Sequence, residues 1–215
     1  TAANQVGFTP GASGNYTLIP MGQDAGGAVD VDTINVSVTL NQGATVSCPG
    51  PQTIFLCVAG QICYPVTVTG VSPTVTVSPI GSYAAGQVCF TADTSGLYAI
   101  TVIVASACGG DTCSFTVAVT MNQPPVAVNP PASVDTFMCV GAQICRQFAA
   151  SDPNGGALTW SRLSGDGTVT AGGLWCFTAN ASGSYTVSAA VADSCGAADT
   201  VTMAYNVTLN APPVV

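Results

Sequence analysis

The chain has 215 residues, only 6% of them charged: ten Asp, Arg146 and Arg162, with no Glu, Lys or His and a net charge of −8. With two cations it cannot neutralise a phosphate backbone or an anionic bilayer surface, and its apolar runs are broken by Thr, Ser and Gly, so nucleic acid and membrane insertion are both excluded. The absence of His removes Ser-His-Asp and Cys-His chemistry, no catalytic residue emerges, and the chain reads as a non-enzyme.

Val, Thr, Ser, Gly and Pro dominate, which predicts strands and turns with almost no helix. From the N-terminus, FTPGASGNY at 8–16 leads into a strand. Ile34, Val36, Val38 and Leu40 then alternate as a closing strand before Asn41-Gln42. Beyond residue 42 the text becomes a repeat. CVAGQIC at 57–63 returns as CVGAQIC at 139–145, CFTADTSGLY at 89–98 as CFTANASGSY at 176–185, and SACGGDT at 106–112 as DSCGAAD at 193–199. The closing strand recurs as Phe115, Val117, Val119, Met121 and as Met203, Tyr205, Val207, Leu209. NQPPV at 122–126 and NAPPV at 210–214 follow. Residues 8–16 align without a gap to 90–98, so the N-terminus carries only the second half of the same unit.

Three segments result: 1–42, a half module holding the last strands of a sandwich; 43–122, a first whole module; and 123–215, a second. Short period-2 runs between Gly, Pro, Asp and Ser clusters allow about seven strands per whole module. The fold class is all-β, as tandem immunoglobulin-like β-sandwiches with disulfides.

Ten cysteines without a zinc-type or CxxC spacing read as five disulfides formed in an oxidising compartment, at the cell surface or outside it. Cys48 and Cys113 are both missing from the second module, which pairs them. The half module carries Gly7 and Gly26 where Cys89 and Cys108 would stand, which favours Cys89 with Cys108 and Cys176 with Cys195. If strands alternate up and down, Cys57 and Cys63 flank one turn at the opposite pole, as do Cys139 and Cys145. A bond needs Cα atoms within about 7 Å, so these are expected to pair locally.

In the second module, ASDPNGGALTW at 150–160 and ASGSYTVSAAVADSCG at 181–196 resemble bacterial cadherin-like and related immunoglobulin-fold surface repeats. The resemblance rests on the DPNGG turn, the Gly-x-Tyr-Thr-Val strand and the Asp-x-Cys-Gly turn, and it extends over both whole modules and the half. It implies a cadherin-like sandwich in an extracellular setting and no reaction. Such repeats often place calcium ligands near a linker, which draws attention to Asp152, Asn154 and Asp193. Gly70 and Ser106 stand at the comparable places in the first module. The other reading of these residues is turn formation, with no cofactor at all.

Sequons at Asn15, Asn35, Asn180 and Asn206 are candidate glycosylation sites. Trp160, Trp175, Tyr98 and Tyr185 are expected in the core. Without Lys no Lys-Asn isopeptide can stiffen the modules, so disulfides must do so, and trypsin finds only two sites.

A lone ribbon of the size of residues 1–42 is not stable by itself. Thr1, with no Met or apolar leader before it, suggests a processed chain or a window of a longer one, the missing half lying upstream. Alternatively the ribbon docks on a neighbouring subunit by β-augmentation through Ile34, Val36, Val38 and Leu40, and the head-to-tail contact propagates. The residues after the last strand offer no spare half module in return. The expected function is a structural segment of an extracellular filament, fibre or stalk, with identical subunits or adjoining repeats as partners. The alternative is an adhesive module for carbohydrate or a surface, with or without calcium.

Overall fold

The structure is a computed structural model and describes residues 5–211. Most of the second linker text, residues 212–214, lies outside them. Strands make up all the regular structure among the described residues. In the half module these are β1 (Gly14–Leu18), β2 (Met21–Gln23), β3 (Val29–Val31) and β4 (Ile34–Val38). The next repeat supplies β5 (Thr45–Ser47), β6 (Gln52–Leu56), β7 (Gly60–Pro65), β8 (Thr67–Thr69), β9 (Thr74–Ser78), β10 (Ser82–Ala84), β11 (Gln87–Ala92), β12 (Gly96–Ser106) and β13 (Gly109–Met121). The last supplies β14 (Val126–Ala127), β15 (Ser133–Met138), β16 (Ala142–Gln147), β17 (Ala150–Ser151), β18 (Thr159–Gly165), β19 (Thr168–Val169), β20 (Leu174–Ala179), β21 (Gly183–Ala192) and β22 (Ala198–Leu209).

The chain divides into two compact units. One comprises residues up to 53, 61–92 and 97–118; the other comprises 54–60, 93–96 and everything from 119 on. The segments 54–60 and 93–96 therefore belong with the later residues, although their text lies inside the first whole repeat.

Each whole repeat builds a four-stranded and a three-stranded sheet. The orders are β6-β13-β12-β9 with β10-β11-β7, and β15-β22-β21-β18 with β16-β20-β19; β5-β8 and β14-β17 are small added ribbons. Period-2 alternation turns one side chain in two inward. In the first unit Val88, Phe90, Ile100, Val102, Val104, Phe115 and Val117 form the core. In the second, Trp175 is fully buried, 4.7 Å from Phe177 and 5.8 Å from Tyr205 between ring centres, with Trp160 and Phe148 beside it. Its indole N–H donates to the Asp166 carbonyl at 2.7 Å, which satisfies the buried polar atom. Asp166 lies between Gly165 and Gly167, both at positive φ, where an added Cβ would strike the Thr186 and Cys176 carbonyls; only glycine fits this turn.

In the half module β1 pairs with β4 in the register Gly14↔Val38 and Tyr16↔Val36. This is the register of Gly183↔Val207 and Tyr185↔Tyr205, 169 residues later. Local details repeat as well. Phe8 packs on Tyr16 as Phe177 does on Tyr185, and each tyrosine hydroxyl bonds the backbone four residues upstream. The Ser13, Ser95 and Ser182 hydroxyls accept the Leu40, Met121 and Leu209 N–H groups.

Four disulfides form, not five. Cys48 bonds Cys113, the pairing read from their joint absence elsewhere. The expected pairs Cys57–Cys63, Cys89–Cys108, Cys139–Cys145 and Cys176–Cys195 do not occur. Instead Cys63 bonds Cys89 and Cys145 bonds Cys176, with Cα atoms 4.1 and 4.2 Å apart. The reason lies in the sheet. Cys63 and Cys145 sit within strands rather than at turns, and Cys145 stands directly opposite Cys176 in the β16–β20 ladder. Ile62, Val88 and Phe90 point into the core, so alternation turns Cys63 and Cys89 together onto the outer face.

Candidate functional site

The second unit carries a polar cluster where β13 ends and the linker begins. The Asn122 N–H donates to the Leu56 carbonyl at 2.8 Å, and its side-chain amide to Asp193 Oδ2 at 2.6 Å. Asp193 Oδ1 accepts the N–H groups of Cys195 and Ala197, both at 2.9 Å, fixing the Asp-x-Cys-Gly turn. One residue on, the Gln123 N–H donates to Asn154 Oδ1 at 2.5 Å, and Asn154 Nδ2 donates to the Met121 carbonyl at 3.4 Å. Asn154 is placed by its own N–H bond to Asp152 Oδ1 at 2.7 Å, inside a turn that Gly155 closes at a φ of +74°. A disulfide joins Cys57 to Cys195 across 138 residues of sequence, with Cα atoms 5.3 Å apart.

Asp152, Asn154 and Asp193 are therefore brought to the linker together, though not as a calcium cage. Asp193 spends both oxygens on N–H donors and Asn154 spends its oxygen on Gln123, so these lone pairs point at protein. Among the described residues no three acidic, Cys or His side chains converge as a metal set. The arrangement fits a hydrogen-bonded clamp on the linker and does not fit an oxygen shell of six to eight ligands. Hydrogen bonding lowers the Asp193 pKa below the ordinary carboxylate value, the Asn122 amide contributing most.

A second pair of carboxylates pins the first short strand of each whole repeat. Asp111 Oδ2 accepts the Val46 N–H at 3.0 Å, and Asp199 Oδ2 the Ala127 N–H at 2.9 Å. Both pKa values are lowered, chiefly by those two bonds. Every one of the ten Asp side chains accepts at least one protein hydrogen bond.

The other sequence candidates fall as follows. Trp160 and Trp175 are core residues, and Tyr98 and Tyr185 are half-buried. Asn15, Asn35, Asn180 and Asn206 are all exposed, with Asn35 bonded to Thr17 and Asn206 to Asp135. Ile34 and Leu40 are exposed, while Val36 and Val38 are half-buried. Sequence reasoning missed Asn122. Its signal was the NxPPV linker itself, whose Asn recurs at 122 and 210 ahead of two prolines that cannot donate a backbone hydrogen bond.

Residues 122–206 match the family model described as a bacterial Ig domain. No curated protein matches the chain. Among solved structures, the human protocadherin-24 EC1-2 fragment superposes with a TM-score of 0.54 at 14% identity, covering 80% of this chain and 100% of that one. The modules have an immunoglobulin-like, cadherin-like fold. Protocadherin GammaB4 (TM-score 0.48, 16% identity, 90% of this chain and 38% of that) and the titin I67-I69 fragment (0.36, 14%, 95% and 77%) are also similar, too loosely to carry an argument. At such identities the likeness shows the fold alone.

Proposed function

We propose that this chain is a structural segment of an extracellular filament, fibre or surface stalk, in which repeats follow one another head to tail. The observation that carries the reading is the N-terminal ribbon. It is the closing hairpin of a module in the register of β21–β22, and among the described residues of the half module the strands besides it are the short pair β2 and β3. Val187, Tyr205 and Val207 are buried at 2%, 8% and 3% exposure, while their counterparts Leu18, Val36 and Val38 are only half-buried, and Ile34 and Leu40 stay 41% and 45% exposed. Apolar side chains left in this way favour a partner that supplies the missing sheet, from an identical subunit or an adjoining repeat.

The remaining features agree with a load-bearing role outside the cell. Four disulfides fit an oxidising compartment. Electron microscopy of the purified chain tests the reading. Regular filaments are expected, and Val36→Asp with Val38→Asp should abolish them while circular dichroism stays strand-rich. Monodisperse particles that bind glycans, with or without calcium, would replace the structural reading by the adhesive one.

A further inference from the structure

Two exposed cysteines, Cys108 and Cys139, are free in this chain. Repeat positions explain both. Cys139 opens the CVGAQIC loop as Cys57 opens CVAGQIC, and the two loops are held alike: the carbonyl just before each cysteine, Leu56 or Met138, accepts a linker N–H, from Asn122 or Asn210, at 2.8 Å. Cys108 stands in the turn that Cys195 occupies in the next repeat. The Cys195 N–H bonds Asp193 Oδ1 at 2.9 Å, and the Cys108 N–H bonds the Ser106 hydroxyl at 3.4 Å, Ser106 being the counterpart of Asp193. The half module builds this turn a third time, with Asp24 accepting the Gly26 N–H at 2.8 Å, but Gly26 has no thiol to offer. The chain thus holds two loop cysteines and two turn cysteines. One of each is joined as Cys57–Cys195, and one of each is left over.

We infer that Cys108 and Cys139 are the two open ends of a disulfide that recurs from repeat to repeat. Cys139 bonds the turn cysteine of the following repeat, and Cys108 the loop cysteine of the preceding one. The lone thiols alone would not carry this; the bonded counterpart of the same two positions does. The inference rests on the tandem, head-to-tail reading only in requiring an adjoining repeat. Chemically, the Cys139 thiolate attacks an oxidised dithiol donor to form a mixed disulfide, and the turn thiolate of the adjoining repeat displaces it. Two protons and two electrons leave the cysteine pair, and the donor departs as a reduced dithiol. The adjoining repeat comes from a second copy of this chain or from a continuation of the same polypeptide.

The test uses the protein as purified from its source, trapped with N-ethylmaleimide, run without reductant and mapped after peptic digestion. Both cysteines should escape alkylation. A ladder that collapses on reduction, with Cys108 linked to Cys139 between chains, identifies a second copy. Linkage to a peptide of a further repeat, without a ladder, identifies a continuous array. Quantitative alkylation of both thiols, or Cys89–Cys108 and Cys139–Cys145 peptides, would overturn the inference. If copies are linked, Cys108→Ser and Cys139→Ser should each give monomers alone and dimers only when mixed. Dimers from either variant alone would contradict the loop-to-turn polarity. Filaments seen in fully alkylated material would sink this inference while leaving the fibre reading standing; linked cysteines without filaments would do the reverse.

Discussion

The ribbon of residues 14–38 and the hairpin of residues 183–207 are the same structure in two environments. Their registers coincide, their aromatic pairs coincide, and the same serine accepts the same backbone N–H in each. What separates them is cover. Behind β21 and β22 stand Trp175 and Phe177 from the opposing sheet, whereas the apolar side chains of β1 and β4 are half-buried or exposed. The comparison teaches that local text fixes the hairpin and its register, while stability comes from the apolar face that a second sheet closes.

The sharpest way to exploit this difference is to remove the cover. Trp175→Ala deletes the largest fully buried side chain and should cost about 3 to 5 kcal/mol, read from urea unfolding. A loss under about 1 kcal/mol would show that the ring does not hold the sheets together. Next in size is the strand-to-strand bond. Replacing Cys145 and Cys176 by Ala together releases a loop of 31 residues and should cost about 3.5 kcal/mol in the chain-entropy model. One position then allows a direct contrast: Val117, fully buried, and Val36 of the ribbon stand at the same place in the closing strand. Val117→Ala should cost about 2 kcal/mol, and Val36→Ala under about 1 kcal/mol in dispersed chains. Equal costs would mean the ribbon is already covered.

The smallest effect is acid sensitivity. Asp111, Asp193 and Asp199 have folded pKa values below the ordinary 3.8. Their contribution is complete above that value, where folded and unfolded carboxylates are both ionised, and is lost as pH falls below 3.8 through the lowered folded values. Thermal scans from pH 6 to pH 2 should show Tm falling in that acid window. Asp30, the ribbon counterpart of Asp111 and Asp199, accepts the N–H of its neighbour Val31 instead of one from a distant strand.

Much of this was legible in the sequence because a repeat reports its own structure. Spacing alone aligned Phe8 with Phe90 and Tyr16 with Tyr98, and the alternation at Ile34–Leu40 marked a closing strand. The all-β sandwich followed from composition and period. The disulfides were misread because polarity of strands was used where side-chain direction decides. The flanking residues carried that information: inward Ile62 and inward Val88 and Phe90 leave Cys63 and Cys89 on one outer face. Cys57–Cys195 was beyond reach for a different reason. Pairing was sought inside each repeat, whereas this bond joins a loop of one repeat's text to a turn of the next. Asp152, Asn154 and Asp193 were singled out near the linker, but spacing does not reveal whether an oxygen faces a cation or an N–H group.

The central claim is that successive repeats are tied by covalent sulfur at the linker clamp. Peptic digestion at low pH, where thiol exchange is suppressed, followed by mass spectrometry without reduction tests it directly. The account predicts a linked peptide pair containing Cys57 and Cys195. A Cys57–Cys63 peptide, with Cys195 joined to Cys176, would contradict it.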